Sequence, residues 1–287
     1  MSDRLREIVN MRNFHENSLH TTGEILNRYG YKLGRTIGYG SYCKVRIALK
    51  MTEDRKRVAC KSIDKRKASS DYVGKFLPRE INILKSIEHP NIVSIHDIFL
   101  INDQVHIFMD LCEKGDLLEY ICCKGPIPEN KAKHFFRQLV SALEYLHNME
   151  ISHRDIKCEN ILLSSGNVLK ITDFGFARLC RDKKGNRILS DTFCGSTAYA
   201  APEILQARLT SFLFDEKAFP SVSGMSYNPK MYDMWSLGCV LYIMLAASMP
   251  FDDSNIRNML KTMINKNITF PPHCDGTLSP AAVHLVW

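Results

Sequence analysis

His153-Arg154-Asp155 is followed by Lys157 and Asn160, and Asp173-Phe174-Gly175 begins 13 residues after the asparagine. These are the residue types that phosphoryl transfer calls for. Asp155 can accept a proton from a hydroxyl, a lysine stands two residues on, and Asn160 and Asp173 offer oxygen ligands to Mg²⁺. Catalysis of that kind is mostly positioning and neutralisation of charge. Asp-Phe-Gly alone recurs by chance in many proteins; the two motifs in this order and at this spacing do so far less often.

A second group lies upstream. Gly38-Tyr39-Gly40-Ser41-Tyr42-Cys43-Lys44-Val45 sits between two strand-like patterns. Glycines let backbone approach phosphate closely and point N–H groups at it. Alone, such a segment reads as a plain hairpin turn. Here it precedes Val58-Ala59-Cys60-Lys61, and Glu80 follows Lys61 by 19 residues. A strand lysine held by a helix carboxylate can orient the α- and β-phosphates of a nucleotide.

Hydrophobic periodicity supplies the elements that must position these groups. Alternation over Tyr31 to Ile37, Lys44 to Ala48 and Arg57 to Ile63 predicts three strands, the first two joined as a hairpin. Lys75 to Ile87 carries Leu77, Ile81 and Leu84 at helical spacing. Val93 to Leu100 and Val105 to Leu111 read as two further strands. Beyond Glu113-Lys114-Gly115 the pattern turns helical. Lys131 to Asn148 predicts a long amphipathic helix with Phe135, Leu139, Leu143 and Leu146 inside. Met231 to Ala247 predicts a helix apolar on all sides. The division is a polar N-terminal extension over 1–28, which reads as a frayed tail, a β-rich lobe over 29–112 and a helical lobe over 113–287.

Composition narrows the classes. The chain has 287 residues, 45% hydrophobic and 24% charged, which suits one large domain or two lobes with sizeable cores. A net charge of +7 without any RNA- or DNA-module signature gives no nucleic-acid partner. Arg181-Asp182-Lys183-Lys184-Gly185-Asn186-Arg187 reads as a solvated loop tip. The ten cysteines show no metal-binding spacing and read as reduced thiols. No segment has the length and apolarity of a signal peptide or a membrane span, so no membrane association is expected.

With these motifs assembled, residues 29–287 resemble the eukaryotic protein kinases. The resemblance implies an α+β, bilobal protein kinase fold, with an antiparallel β-sheet N-lobe carrying one main helix and a mostly helical C-lobe. It implies ATP and Mg²⁺ as cofactors. Lys61 and Glu80 look like the active-state ion pair, Asp155 like the catalytic base, and Lys157 like the lysine of serine/threonine kinases that touches the transferred phosphate. Asn160 and Asp173 look like the metal ligands. For the nucleotide, Ile37, Gly38, Gly40 and Val45 match the glycine-rich hairpin, Met109 the gatekeeper, and Asp110 and Cys112 the hinge. Val45, Ala59 and Leu162 would sandwich adenine, and Asp116 would reach the ribose. Leu84, Ile95, His153 and Phe174 fit a stack of side chains linking the lobes. Asp233 resembles the helix aspartate that fixes the catalytic-loop backbone. Thr192 stands at the usual regulatory phosphosite, with Arg154 and Arg178 placed to meet a phosphate there; Ser190, Ser196 and Thr197 are alternative hydroxyls. Ser196, Phe176, Asp116 and Glu159 imply serine acceptors with upstream basic residues.

Lys75 to Ile81, Thr192 to Ser196, Ala198 to Glu203 and Ser248 to Ile256 resemble the testis-specific serine kinases, a branch of the calmodulin-dependent-kinase group. That likeness implies a cytoplasmic location, with the nucleus as a second possibility, a role in spermatid development, protein substrates and an upstream activating kinase. Four departures stand out. Thr197 replaces a common proline of the substrate-docking loop. Cys43 replaces a third glycine. Ala207 to Ser226, an insertion at about 207–226, shows neither helical nor strand period. The C-lobe stops early, so the arginine that pairs with the glutamate of Ala201-Pro202-Glu203 has no counterpart. The insertion and the early stop favour a second reading: a catalytically weak kinase-fold module that binds nucleotide or a partner.

Overall fold

The computed structural model describes residues 11–14, 21–182, 184–190, 194–213, 226–265 and 268–286. They form two compact units divided at Glu113/Lys114, a sheet lobe and a helical lobe. This is the bilobal arrangement that the motifs imply.

The first unit contains β1 (Met11–Phe14), α1 (Thr22–Arg28), β2 (Tyr31–Tyr39), β3 (Cys43–Lys50), β4 (Arg57–Asp64), α2 (Leu77–Leu84), β5 (Ile95–Ile101) and β6 (Gln104–Asp110). The sheet order is β1-β5-β6-β4-β3-β2, with β1 parallel to β5 and the other pairs antiparallel. Alternation gives the sheet two faces. Val45 pairs with Lys61 and Ala59 with Met109 on one face. Lys44, Ser62 and His106 form a cross-strand row on the other, beside Arg46, Cys60 and Phe108.

Part of the segment read as a polar tail is structured. The Thr21 hydroxyl accepts the Glu24 N–H, and the Glu24 carboxylate accepts the Thr21 N–H, a reciprocal cap that starts α1. The helix then buries Ile25 and Leu26 against Tyr31, Phe99 and Phe108. The Thr21-x-x-Glu24 spacing was the available signal. α2 starts two residues later than periodicity suggests, after a wide turn over Tyr72–Phe76, with Pro78 in its first turn where no N–H is needed. It buries Leu77, Ile81 and Leu84 as expected, and Glu80 with them.

The second unit contains α3 (Leu117–Lys124), α4 (Glu129–Asn148), β7 (Ile151–Ser152), β8 (Ile161–Leu163), β9 (Leu169–Ile171), β10 (Arg178–Leu179), α5 (Pro202–Leu213), α6 (Pro229–Ala246), α7 (Ile256–Ile264) and α8 (Pro280–Val286). α4 buries Phe135, Leu139, Leu143 and Leu146. α6 starts at an Asn228 cap followed by Pro229 and is buried along most of its length, so it is the spine of this unit. α5 runs to Leu213 and so takes in the first residues of the expected insertion. Leu, Gln, Ala and Arg over 205–209 favour that continuation. The rest of the insertion, 214–225, lies outside the described residues.

All ten cysteines are free. Burial pushes the Cys60, Cys158 and Cys239 thiols up to about 12, which keeps them protonated and inert. No described helix is long and apolar enough to cross a membrane.

Candidate active site

The helical lobe builds its site from one buried carboxylate outward. Asp233, fully buried on α6, accepts the Ser152 hydroxyl and the His153 N–H on Oδ2, each at 2.9 Å. It accepts the Arg154 N–H on Oδ1 at 2.7 Å. His147 Nε2 lies 2.9 Å from Oδ2. These contacts hold Arg154 at a φ of 65°, a left-handed conformation a free arginine rarely adopts.

That turn delivers Asp155. Its Oδ2 accepts from Asn160 Nδ2 at 2.8 Å and lies 3.0 Å from Lys157 Nζ; its Oδ1 accepts the Ser196 N–H at 3.2 Å. Lys157 also donates to the Ser196 hydroxyl at 3.0 Å. Gly195, at φ 88°, makes this approach possible. A Cβ there would sit 2.6 Å from the Tyr232 hydroxyl and 2.7 Å from the Arg154 carbonyl. The four groups Asp155, Lys157, Asn160 and Ser196 are therefore one hydrogen-bonded cluster.

Asn160 spends its amide N–H groups on the Asp155 side chain and carbonyl, which turns its amide oxygen away from them. The Asn160 carbonyl accepts the Thr172 N–H at 3.0 Å, tying in exposed Asp173, which sits at a φ of 63°. Phe174 is buried with its ring 4.8 Å from His153, and His153 Nε2 meets the Thr172 carbonyl at 3.0 Å. An amide oxygen and a carboxylate are hard oxygen donors, the chemistry Mg²⁺ takes when phosphate oxygens complete its shell. Among the described residues no group of three or more His, Cys, Asp or Glu side chains could hold a metal unaided.

In the sheet lobe, Lys61 Nζ meets Glu80 Oε1 at 3.0 Å, and the Tyr72 hydroxyl donates to Oε2 at 3.4 Å. Val45, Ala59, Lys61 and Met109 share the face described above, and Gly38 pairs with Val45. Ile37 is exposed on β2. At the hairpin the Gly40 N–H donates to the Cys43 carbonyl at 2.9 Å. A Cβ at Gly40 would lie 2.8 Å from Cys43 Sγ, so the second glycine makes room for the cysteine that replaces the third. Leu84 is buried on α2 and Ile95 half-buried on β5. Asp110 ends β6, its N–H on the Ser94 carbonyl, and Cys112 is half-buried beyond it.

Asp116 and Leu162 belong to the helical lobe, where they bridge each other. Asp116 caps α3, its Oδ1 accepting the Glu119 N–H at 2.8 Å. The Asp116-x-x-Glu119 spacing is the local signal for this cap. Near the expected phosphosite, Arg154 donates to the Phe176 carbonyl at 2.8 Å and to the Ser190 hydroxyl at 2.7 Å. Arg178 reaches the same hydroxyl at 3.4 Å. Ser190 is fully buried and linked to Tyr227 by paired backbone bonds. Thr192 lies outside the described residues. Tyr199 links to Glu159, its hydroxyl 3.3 Å from Oε2. Glu203 is exposed and makes no ion pair among the described residues, so no buried charge is left unpaired there.

A family model described as protein kinase domain matches residues 31–286. The chain is 47% identical to testis-specific serine/threonine-protein kinase 1 of Mus musculus, over 86% of this chain and 63% of that protein. It is 43% identical to the protein of the same name from Homo sapiens, over 91% of this chain and 68% of that one. With testis-specific serine/threonine-protein kinase 3 of Mus musculus the identity is 44%, over 85% and 83%. The chain spans just under two thirds of the length of the first of these curated relatives. Kinase motifs, a bilobal fold and these identities agree: the chain belongs to the protein kinase domain family and, within it, to the testis-specific serine/threonine-protein kinases.

Proposed function

We propose that the protein is a serine/threonine kinase that moves the γ-phosphoryl group of ATP to hydroxyls of protein substrates. The observation that carries this is the Asp155 carboxylate held by Asn160, Lys157 and the Ser196 N–H together. Asp155 accepts the proton of the attacking hydroxyl as the new O–P bond forms and the bond to the leaving diphosphate breaks. Lys157, already beside Asp155 and Ser196, neutralises charge on the moving phosphoryl group. Lys61, braced by Glu80, holds the α- and β-phosphates. Ile37, Gly38, Gly40, Val45, Ala59, Met109, Asp110, Cys112, Asp116 and Leu162 hold the nucleotide. Asn160 and Asp173 hold Mg²⁺, which supplies Lewis-acid neutralisation of phosphate oxygens when bound.

Labelled-ATP transfer to a peptide tests this. Asp155→Asn should lower kcat by about 10²–10⁴-fold with the fold retained, and Lys61→Met should be comparably weak. Wild-type turnover no higher than that of Asp155→Asn would establish the alternative, a catalytically weak nucleotide- or partner-binding module. A peptide array tests the acceptor, expected to be serine with an upstream arginine.

Three finer readings belong to the same proposal. Phosphorylation of Thr192 by an upstream kinase would bring about −1.5 to −2 charges to the neighbourhood of Arg154 and Arg178. Mass spectrometry of active enzyme checks it. The relatives named testis-specific support a role in male germ cells, in spermatid development, with a cytoplasmic location. Immunostaining of testis sections against other tissues tests both.

A further inference from the structure

The face of the sheet opposite Val45, Ala59, Lys61 and Met109 carries a cavity of about 510 Å³, lined wholly by the first unit. That volume is in the range of small-molecule sites. Its floor is the row Lys44, Ser62 and His106. Arg46 and Lys67 add two more cations to the wall. The one carboxylate of the lining, Asp64, already takes the Arg66 guanidinium in a two-bond fork at 3.0 Å, so the lining keeps an excess of positive charge. Leu33, Tyr39 and Tyr42 supply apolar and aromatic surface at the rim.

His106 is the second observation. It is 2% exposed, and its Nε2 has no hydrogen-bond partner. Nδ1 lies 2.8 Å from the Ser62 hydroxyl. Burial and the nearby Arg46 push the ring down to about 4, so it is neutral at pH 7. Whichever group donates in the Ser62 contact, Nε2 is left as a buried ring nitrogen without a partner. Such a group costs free energy unless something pairs with it.

We propose that this cavity is a second ligand site, for a small organic molecule with an apolar body and one oxyanion group. Arg46, Lys44 and Lys67 meet the charge, the His106 ring lies in the floor beside it, and the tyrosines cover the apolar part. Gly40 to Cys43 form part of the wall, so an occupant touches the glycine-rich hairpin from behind.

The test follows the His106 ring nitrogens by long-range ¹H–¹⁵N NMR on the whole chain, assigned by their loss in His106→Gln. Phenyl phosphate and benzoate are titrated separately, with a non-hydrolysable ATP analogue and Mg²⁺ in excess. A saturable shift of Nε2 is expected, with a Kd of about 1 mM or tighter, weakened at least tenfold in Arg46→Met. Lys67→Met, at an exposed position, gives the same readout should Arg46→Met unfold. Tighter phenyl phosphate assigns a phosphate ligand and tighter benzoate a carboxylate; either upholds the site. No saturable shift with either probe, or a shift indifferent to both substitutions, overturns it.

Discussion

Glu80 and Asp233 are both buried carboxylates on helices, and their surroundings differ. Glu80 meets one ammonium, Lys61, and one distant hydroxyl. Asp233 gathers two backbone N–H groups, a serine hydroxyl and a histidine nitrogen. Lys61 is a long side chain with 17% of its surface exposed, so it can leave Glu80 for water. The two backbone donors on Asp233 belong to a left-handed turn and have nowhere else to go. The first arrangement suits an ion pair that can open and close; the second suits a permanent anchor.

Breaking the anchor should have the largest effect. Asp233→Ala leaves the His153 and Arg154 N–H groups buried and unpaired, and should cost about 3–5 kcal/mol of unfolding free energy. Asp233→Asn, which keeps an acceptor oxygen, should recover part of this. Urea unfolding followed by circular dichroism reads both. A loss under about 1 kcal/mol for the alanine variant would make the two carboxylates alike.

His106 sharpens the contrast, being a buried polar group with one partner and no anchor. Its depressed folded pKa means the unfolded chain binds the extra proton first as pH falls. Stability from this group is present above the unfolded pKa of about 6.5 and is lost towards pH 4. The loss across that window should reach about 3 kcal/mol. In His106→Gln the unfolding free energy should fall less over the same window. Equal slopes for the two proteins would remove the prediction.

Gly195→Ala attacks the anchor from its far side. A Cβ at φ 88° against the Arg154 carbonyl and Tyr232 hydroxyl should cost about 1–3 kcal/mol. It should also lower turnover by shifting the Ser196 N–H off Asp155. Calorimetry and a peptide assay on one sample check both effects.

Glu80→Gln should do least to stability, about 0.5–1.5 kcal/mol, because the amide keeps an acceptor oxygen for partly exposed Lys61. Turnover should nonetheless fall about tenfold or more, since an unbraced lysine misplaces phosphates. Thermal melts and kcat/KM for ATP separate the two. A large stability loss with unchanged turnover would reverse the assignment of roles.

Residues close in the chain were legible, because local geometry decides them. Asp155, Lys157 and Asn160 lie within one turn of loop, and the glycine hairpin declares itself by its flanking alternation. The buried faces of α2 and α4 followed from a period of 3.6 residues, and α6 from its long apolar run. The Thr21 and Asp116 caps were equally local and were passed over, since a polar segment and a family role offered easier readings. Asp233 came only from resemblance; nothing near it in sequence says that it would anchor a loop 80 residues earlier.

Tertiary structure alone decided the rest. Arg154 and Arg178 meet on Ser190 because the Asp233 anchor turns Arg154 inward and the bridge to Tyr227 holds Ser190 beneath it. Lys44, Ser62 and His106 become neighbours only through strand register, and a one-residue slip would send each to the other face. The sequence by itself determined which chemistry the chain carries and which faces its helices bury, because those depend on residue type and spacing. Which hydroxyl the arginines find, and which histidine is left with an unpaired nitrogen, depend on contacts between residues far apart in the chain, which only the folded chain brings together.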